Sequence, residues 1–143
     1  MPADPTRPRL KVTLTRRLPG PVEARMAELF DLIPNPEDRK MTRDELAAAM
    51  RHSDVLVPTV TDRIDAPLLA QAGERLKLIA NYGAGVDHID VQSARQRGIL
   101  VSNTPGVVTE DTADMTMALI LAVTRRIPEG CLLYTSDAAD ERS

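Results

Sequence analysis

The chain is nearly devoid of aromatic residues. Phe30, Tyr82 and Tyr134 are the full set, and tryptophan is absent. Three scattered rings give no platform on which bases could stack, so no nucleic-acid partner is expected. A single cysteine, Cys131, excludes an internal disulfide framework and a thiolate metal cluster. The two histidines, His52 and His88, have no second ligand at metal-binding spacing, and no metal site is expected. Neither sign of charge dominates. The 18 basic and 21 acidic residues are interspersed and leave a net charge of −3, which removes the concentrated basic face that a duplex or an anionic membrane requires. Long hydrophobic runs are missing too. The longest, residues 117–123, is far too short to cross a bilayer. The polar, proline-broken start Met1-Pro2-Ala3-Asp4-Pro5 does not read as a secretory signal. A cytoplasmic protein without a membrane partner is the expectation.

What is present is the composition of an ordinary soluble domain, with 143 residues, 43% apolar and 27% charged. Residues 1–9 read as a disordered lead-in. The β-branched alternation of Leu10–Thr15 predicts a first strand. Pro19-Gly20-Pro21 then turns the chain into a helix whose apolar face is Val22, Met26, Leu29 and Phe30. Asp31-Leu32-Ile33 is a second strand. Thr42-Arg43-Asp44-Glu45 is a capping box, opening a helix that buries Leu46, Ala49 and Met50. Asp54–Val57 is a third strand. Asp65 caps a short helix with Pro67 in its first turn, and Gly73 suits its C-terminal left-handed position. Residues 77–81 are a fourth strand, Asp90 caps a helix ended by Gly98, and residues 99–101 are a fifth strand. Strand and helix thus alternate five times with short connections. That pattern predicts an α/β fold, a flavodoxin-like doubly wound parallel sheet.

The segment from Thr109 to about Ile127 is of another kind. Thr109 reads as its N-cap, Glu110 and Asp111 favour its positive end, and Arg125 and Arg126 its negative end. Between them it is apolar nearly all round, as befits a helix buried on every side.

One loop stands out as a candidate site. Tyr82-Gly83-Ala84-Gly85-Val86-Asp87-His88 follows the fourth strand and leads toward a helix, the place where open α/β sheets hold ligands. The dinucleotide fingerprint G-x-G-x-x-G fails here, because His88 stands in the third glycine position. The residues alone leave two readings open, a tight turn that needs glycine and an anion-binding loop. Asp87 and Asp90 could pair as acid and base, but Asp90 reads better as a helix cap and Asp87 as a turn residue. Arg16 and Arg17 sit at a sheet end, as solvated side chains or an anion contact.

Taken together, Leu78–Asp90, Arg97-Gly98-Ile99, residues 103–114 and Pro58–Asp65 resemble the D-2-hydroxyacid dehydrogenase family, most closely its glyoxylate/hydroxypyruvate reductase branch. The resemblance runs from about Leu10 to Gly130. It implies that residues 10–106 form the flavodoxin-like substrate domain. Residues 107–130 would then be the helix leading into a Rossmann domain that this chain lacks. It implies that the backbone amides of Ala84 and Gly85 bind the substrate carboxylate and that Thr109 contacts the cofactor near its nicotinamide end. The implied cofactor is NADH or NADPH, the substrate a small 2-oxo or 2-hydroxy acid, and the parent a homodimer. The family's catalytic arginine, glutamate and histidine lie beyond Gly130, so the chain is expected to hold no catalytic residue and to be inactive alone. Residues 131–143 show no period tied to what precedes them. They resemble a translated sequencing-library adaptor, so a non-native tail is the expectation. Two other readings belong to different classes. One is a non-catalytic, co-repressor-like binding module of the same fold. The other is a free-standing flavodoxin-like signalling domain, against which stands the lack of clustered acids after the first and third strands.

Overall fold

The computed structural model describes residues 8–135. The first seven residues of the expected lead-in and residues 136–143 of the expected tail lie outside the described residues. The chain divides into two units, Met1–Pro105 and Gly106–Ser143.

In the first unit five short strands form one parallel sheet: β1 (Lys11–Leu14), β2 (Asp31–Ile33), β3 (Val55–Val57), β4 (Leu78–Ala80) and β5 (Leu100–Ser102). Their spatial order is β2-β1-β3-β4-β5, the order of flavodoxin-like doubly wound sheets. The pairing puts Val12 opposite both Leu32 and Val55, and Ile79 opposite Leu56 and Val101. Successive side chains point to opposite faces, so the sheet feeds two cores. Leu56 and Ile79 face a layer made by α2 (Arg43–His52), α3 (Ala66–Leu69) and α4 (Val91–Gln96), whose Leu46, Met50, Leu68 and Ala94 are buried against them. Val12, Leu14 and Val57 face the other way, where Met26 of α1 (Gly20–Leu29) and Phe30 close over them. Three helices thus cover one face and one covers the other. Leu100 on β5 is left 70% exposed.

Local chemistry explains the helix starts. The Thr42 hydroxyl accepts from the Glu45 amide at 3.3 Å, and the Glu45 carboxylate accepts from the Thr42 amide at 2.8 Å, which satisfies two otherwise orphaned donors. Ala47, rather than Ala49, joins Leu46 and Met50 as fully buried. Asp65 Oδ1 accepts from the Leu68 amide and Asp90 Oδ1 from the Ser93 amide, at 3.0 and 2.9 Å. Gly98 ends its helix with φ of 71°, a conformation that glycine adopts without steric cost. Gly73 is different from its expected role. It is not among the residues of positive φ. A Cβ there would stand 2.6 Å from the Arg51 carbonyl oxygen, so close backbone approach is what demands glycine.

The Arg39 guanidinium, then the Thr42 amide and hydroxyl, hold the Glu45 carboxyl at about 2. A carboxyl whose folded pKa is depressed stabilises the fold above its unfolded pKa, and that contribution is lost as pH falls through the folded value. The Glu45 side-chain resonance is therefore expected to titrate near 2, with α2 loosening between the ordinary glutamate range and that pH. A midpoint at the ordinary value of about 4.3 would contradict it.

The second unit contains α5 (Thr109–Thr124) and α6 (Ile127–Thr135). Two expectations change here. Val108 is the N-cap of α5, because its carbonyl accepts the first helical bond, from the Thr112 amide at 3.0 Å. Thr109 is the first helical residue. The helix also stops short of Ile127. Arg125 caps it and Arg126 turns left-handed with φ of 53°. Pro128 supplies the reason, since it has no N–H to give to the Thr124 carbonyl and its ring would clash there. Beyond Gly130, where no regular structure was expected, α6 continues to Thr135. No residue of α5 is buried. Among the described residues, no helix is long and apolar enough to cross a membrane.

Candidate functional site

The loop after β4 lies beyond the carboxyl ends of the strands. It is tied to the sheet at both ends. The Asn81 amide donates to the Ser102 carbonyl at 2.9 Å and the Tyr82 amide to the Pro58 carbonyl at 2.8 Å. At the far end, the Ile64 amide donates to the His88 carbonyl and the Asp90 amide to the Ile64 carbonyl, both at 2.8 Å. These bonds make isolated parallel bridges, Thr59 with Tyr82 and Ile64 with Ile89. The loop therefore does not open a helix, as the glycine pattern suggested. Strand-like pairing is confined to its two ends, with bends and a turn between them, and α4 starts at Val91 behind the expected Asp90 cap.

Within the loop, every carbonyl from Gly83 to Gly85 is tied back. Gly83 O accepts from the Thr104 amide and from Asn81 Nδ2, each at 3.1 Å. Ala84 O accepts from Asn103 Nδ2 at 2.7 Å, and Gly85 O from Asn81 Nδ2 at 2.9 Å. All peptide bonds here are trans, and in a planar trans peptide the N–H points opposite to the C=O. The N–H groups of Ala84, Gly85 and Val86 therefore each point away from the side chain that holds the carbonyl of the same peptide. Among the described residues, none of these three amides has a hydrogen-bond acceptor. Ala84 is half-buried and Gly85 exposed. Free amides on a fixed backbone make this loop the candidate seat for an anion. Gly83 permits the close fit: a Cβ there would meet Val60 Cγ1 at 2.9 Å and Asn81 Nδ2 at 3.2 Å.

Neighbouring features compete poorly for an anion. A cleft of about 460 Å³ lies alongside, lined in part by Arg63, Asp65, Asp87, His88 and Asp90, but Ala84 and Gly85 do not line it. Its carboxylates repel an acid. Arg43 holds the Asp65 carboxyl below its usual range, and the Ser93 amide and hydroxyl do the same for Asp90. Arg16 is committed elsewhere, 2.8 Å from Asp38, whose carboxyl Arg16 and then the Arg17 amide hold at about 2. The switch point of such a sheet, where its strand order reverses between β1 and β3, is a common ligand crevice. Here Asp62 occupies it. Its side chain is fully buried, and Oδ2 accepts from the Thr15 hydroxyl and from the Thr59 amide, the latter at 2.9 Å. Asn81, Asn103 and Asp62 were not singled out by the sequence reading. For Asn81 and Asn103 the available signal was a polar residue directly after an apolar strand, and Asp62, in the loop beyond β3, gave none. Among the described residues, no cluster of three potential metal ligands occurs.

Thr109 lies in the second unit, exposed in the first turn of α5. The described residues do not by themselves fit a dinucleotide. The glycine loop opens no helix, and α5 begins without a glycine-rich turn closing on its amides.

A doubly wound parallel sheet with unpaired amides on the loop past its strand ends defines an α/β domain of the flavodoxin-like kind. The chain belongs to the D-isomer specific 2-hydroxyacid dehydrogenase family, whose catalytic-domain model matches residues 18–142. It is 43% identical over 122 residues to a glyoxylate reductase of Thermofilum pendens, a match covering 85% of this chain and 36% of that protein. The chain thus spans about a third of the length of the curated relatives it matches. A crystal structure of a protein from Thermus thermophilus is 43% identical, with TM-score 0.74, covering 87% of this chain and 40% of that one. An acyclic imino acid reductase, solved in complex with NADPH and D-Arg, shares the fold at 24% identity and TM-score 0.79, over 87% of this chain and 40% of that one.

Proposed function

We propose that the intact protein is an oxidoreductase that uses NADH or NADPH to reduce a small 2-oxo acid of the glyoxylate or hydroxypyruvate type. In this reading the present chain is the part that holds the acid. The observation that carries it is the loop geometry. Ala84 and Gly85 present unpaired amides on a backbone whose carbonyls are anchored behind them. A carboxylate accepts several backbone N–H bonds, and such charge-assisted bonds are about twice as strong as neutral ones. The family membership and the 43% identity to a glyoxylate reductase support the substrate class. Thr109 is proposed to touch the cofactor near its nicotinamide end, and the parent to work as a homodimer. Because the described residues form no dinucleotide site, this chain's own contribution is to bind and orient the acid and, at Thr109, to make one contact with the cofactor.

The test pairs binding with turnover. Calorimetric titration of the purified chain with glyoxylate is expected to give saturable binding, and uncharged methyl glyoxylate none. Addition of NADH is expected to leave its absorbance unchanged, whereas the intact protein is expected to consume it. Absence of glyoxylate binding would overturn the carboxylate seat. Saturable NADH oxidation by residues 1–143 would overturn the division of labour.

A further inference from the structure

Resting on the carboxylate seat just described, we propose that Asn81, anchored by His88, is the positioning residue that aims the loop's amides. The Asn81 side chain is only 3% exposed, and its backbone is still held by β5 through the Ser102 carbonyl. A side chain that leaves a rigid strand end transmits that rigidity to what it bonds. Both of its amide protons are spent on the loop, one on Gly83 O and one on Gly85 O. Those two carbonyls belong to the peptide planes that carry the Ala84 and Val86 N–H groups. One side chain therefore sets the direction of two of the three outward donors. Asn103, from the neighbouring β5 end, sets the third through Ala84 O.

The orientation of the Asn81 amide is determined by its partners. Reversed, its oxygen would face two carbonyl oxygens. With Nδ2 on the carbonyls, Oδ1 is left to accept from His88 Nε2 at 3.0 Å. His88 must then carry a proton on Nε2. It does so both in that neutral tautomer and as the imidazolium, so protonation of His88 leaves the anchor in place. The glycine at position 83 belongs to the same device. A Cβ there would press on Asn81 Nδ2 at 3.2 Å, moving the group that does the clamping.

Two readouts test this, the first without ligand. Nitrogen-15 relaxation of the full 143-residue chain is expected to give residues 83–86 order parameters of about 0.85, falling below about 0.6 in Asn81→Leu while β4 and β5 stay rigid. His88→Gln, which keeps a donor, is expected to lose less loop order than His88→Leu. The second readout is glyoxylate affinity, expected to weaken at least tenfold in Asn81→Leu. Loop order unchanged in Asn81→Leu overturns the positioning role, whatever glyoxylate does. Lost loop order together with an unmodified chain that never binds glyoxylate supports the positioning role and removes the carboxylate reading instead. If Asn81→Leu does not fold, His88→Leu decides. Loop order lost with the strands intact supports the proposal, and loop order retained overturns it.

Discussion

Truncation of Ile79 to alanine is expected to lower the unfolding free energy by about 2–5 kcal/mol, the usual cost of removing a large aliphatic group from a packed core. Ile79 is fully buried on β4, between Leu56 on β3 and Val101 on β5, and joins the cluster that holds α2, α3 and α4. Its neighbours come from strands on both sides and helices above, so no single element can relax into the space. The effect reaches the site, since β4 leads directly into Asn81 and the glycine loop. Urea denaturation checks it: the midpoint is expected to fall with an unchanged slope. A loss below about 0.5 kcal/mol, the size of a surface substitution, would mean that the sheet is not packed as described.

The second large effect is expected at Gly73. Alanine there would place its Cβ 2.6 Å from the Arg51 carbonyl oxygen, 3.1 Å from the Arg51 Cα and 3.2 Å from its carbonyl carbon. These are backbone atoms in the last turn of α2, and that helix is fixed by the buried Leu46, Ala47 and Met50. The Gly73 amide also donates to the Met50 carbonyl at 3.2 Å, so moving the turn away from α2 breaks that bond. Overpacking of this kind costs about 1–3 kcal/mol. Gly20→Ala is the matched control, because a Cβ at Gly20 meets nothing within 4 Å. Thermal unfolding is expected to show a clear drop for Gly73→Ala and little change for Gly20→Ala. Equal stabilities would refute the close approach.

What could be read from the residues and what could not divides by the range of the interaction. The strands and the capping box at Thr42 depend on neighbours a few residues apart, and the sheet has the strands in the order expected, with ends shifted by a residue. The parallel flavodoxin-like topology followed from alternation and short connections. The need for glycine at position 73 did not, because Arg51 is distant in sequence and only folding brings its carbonyl close. A local rule for helix ends gave the wrong reason for the right residue. The break after Thr124 fell earlier than expected, and Pro128, whose effect reaches back to the Thr124 carbonyl, is its local cause. In the candidate loop, Ala84 and Gly85 were reached through family resemblance. The physical basis of their outward amides was hidden, since it requires Asn81, Asn103 and Thr104 to meet carbonyls whose positions the sequence does not encode locally.

On the proposed function, the free amides after β4 seat a carboxylate. The most direct measurement is a residue-resolved titration of the nitrogen-15-labelled chain with glyoxylate. The amide signals of Ala84, Gly85 and Val86 are expected to move together and saturate, with those of Arg63 and Asp90 in the adjacent acidic cleft little changed. Signals that move in the cleft while the three loop amides stay fixed would contradict it.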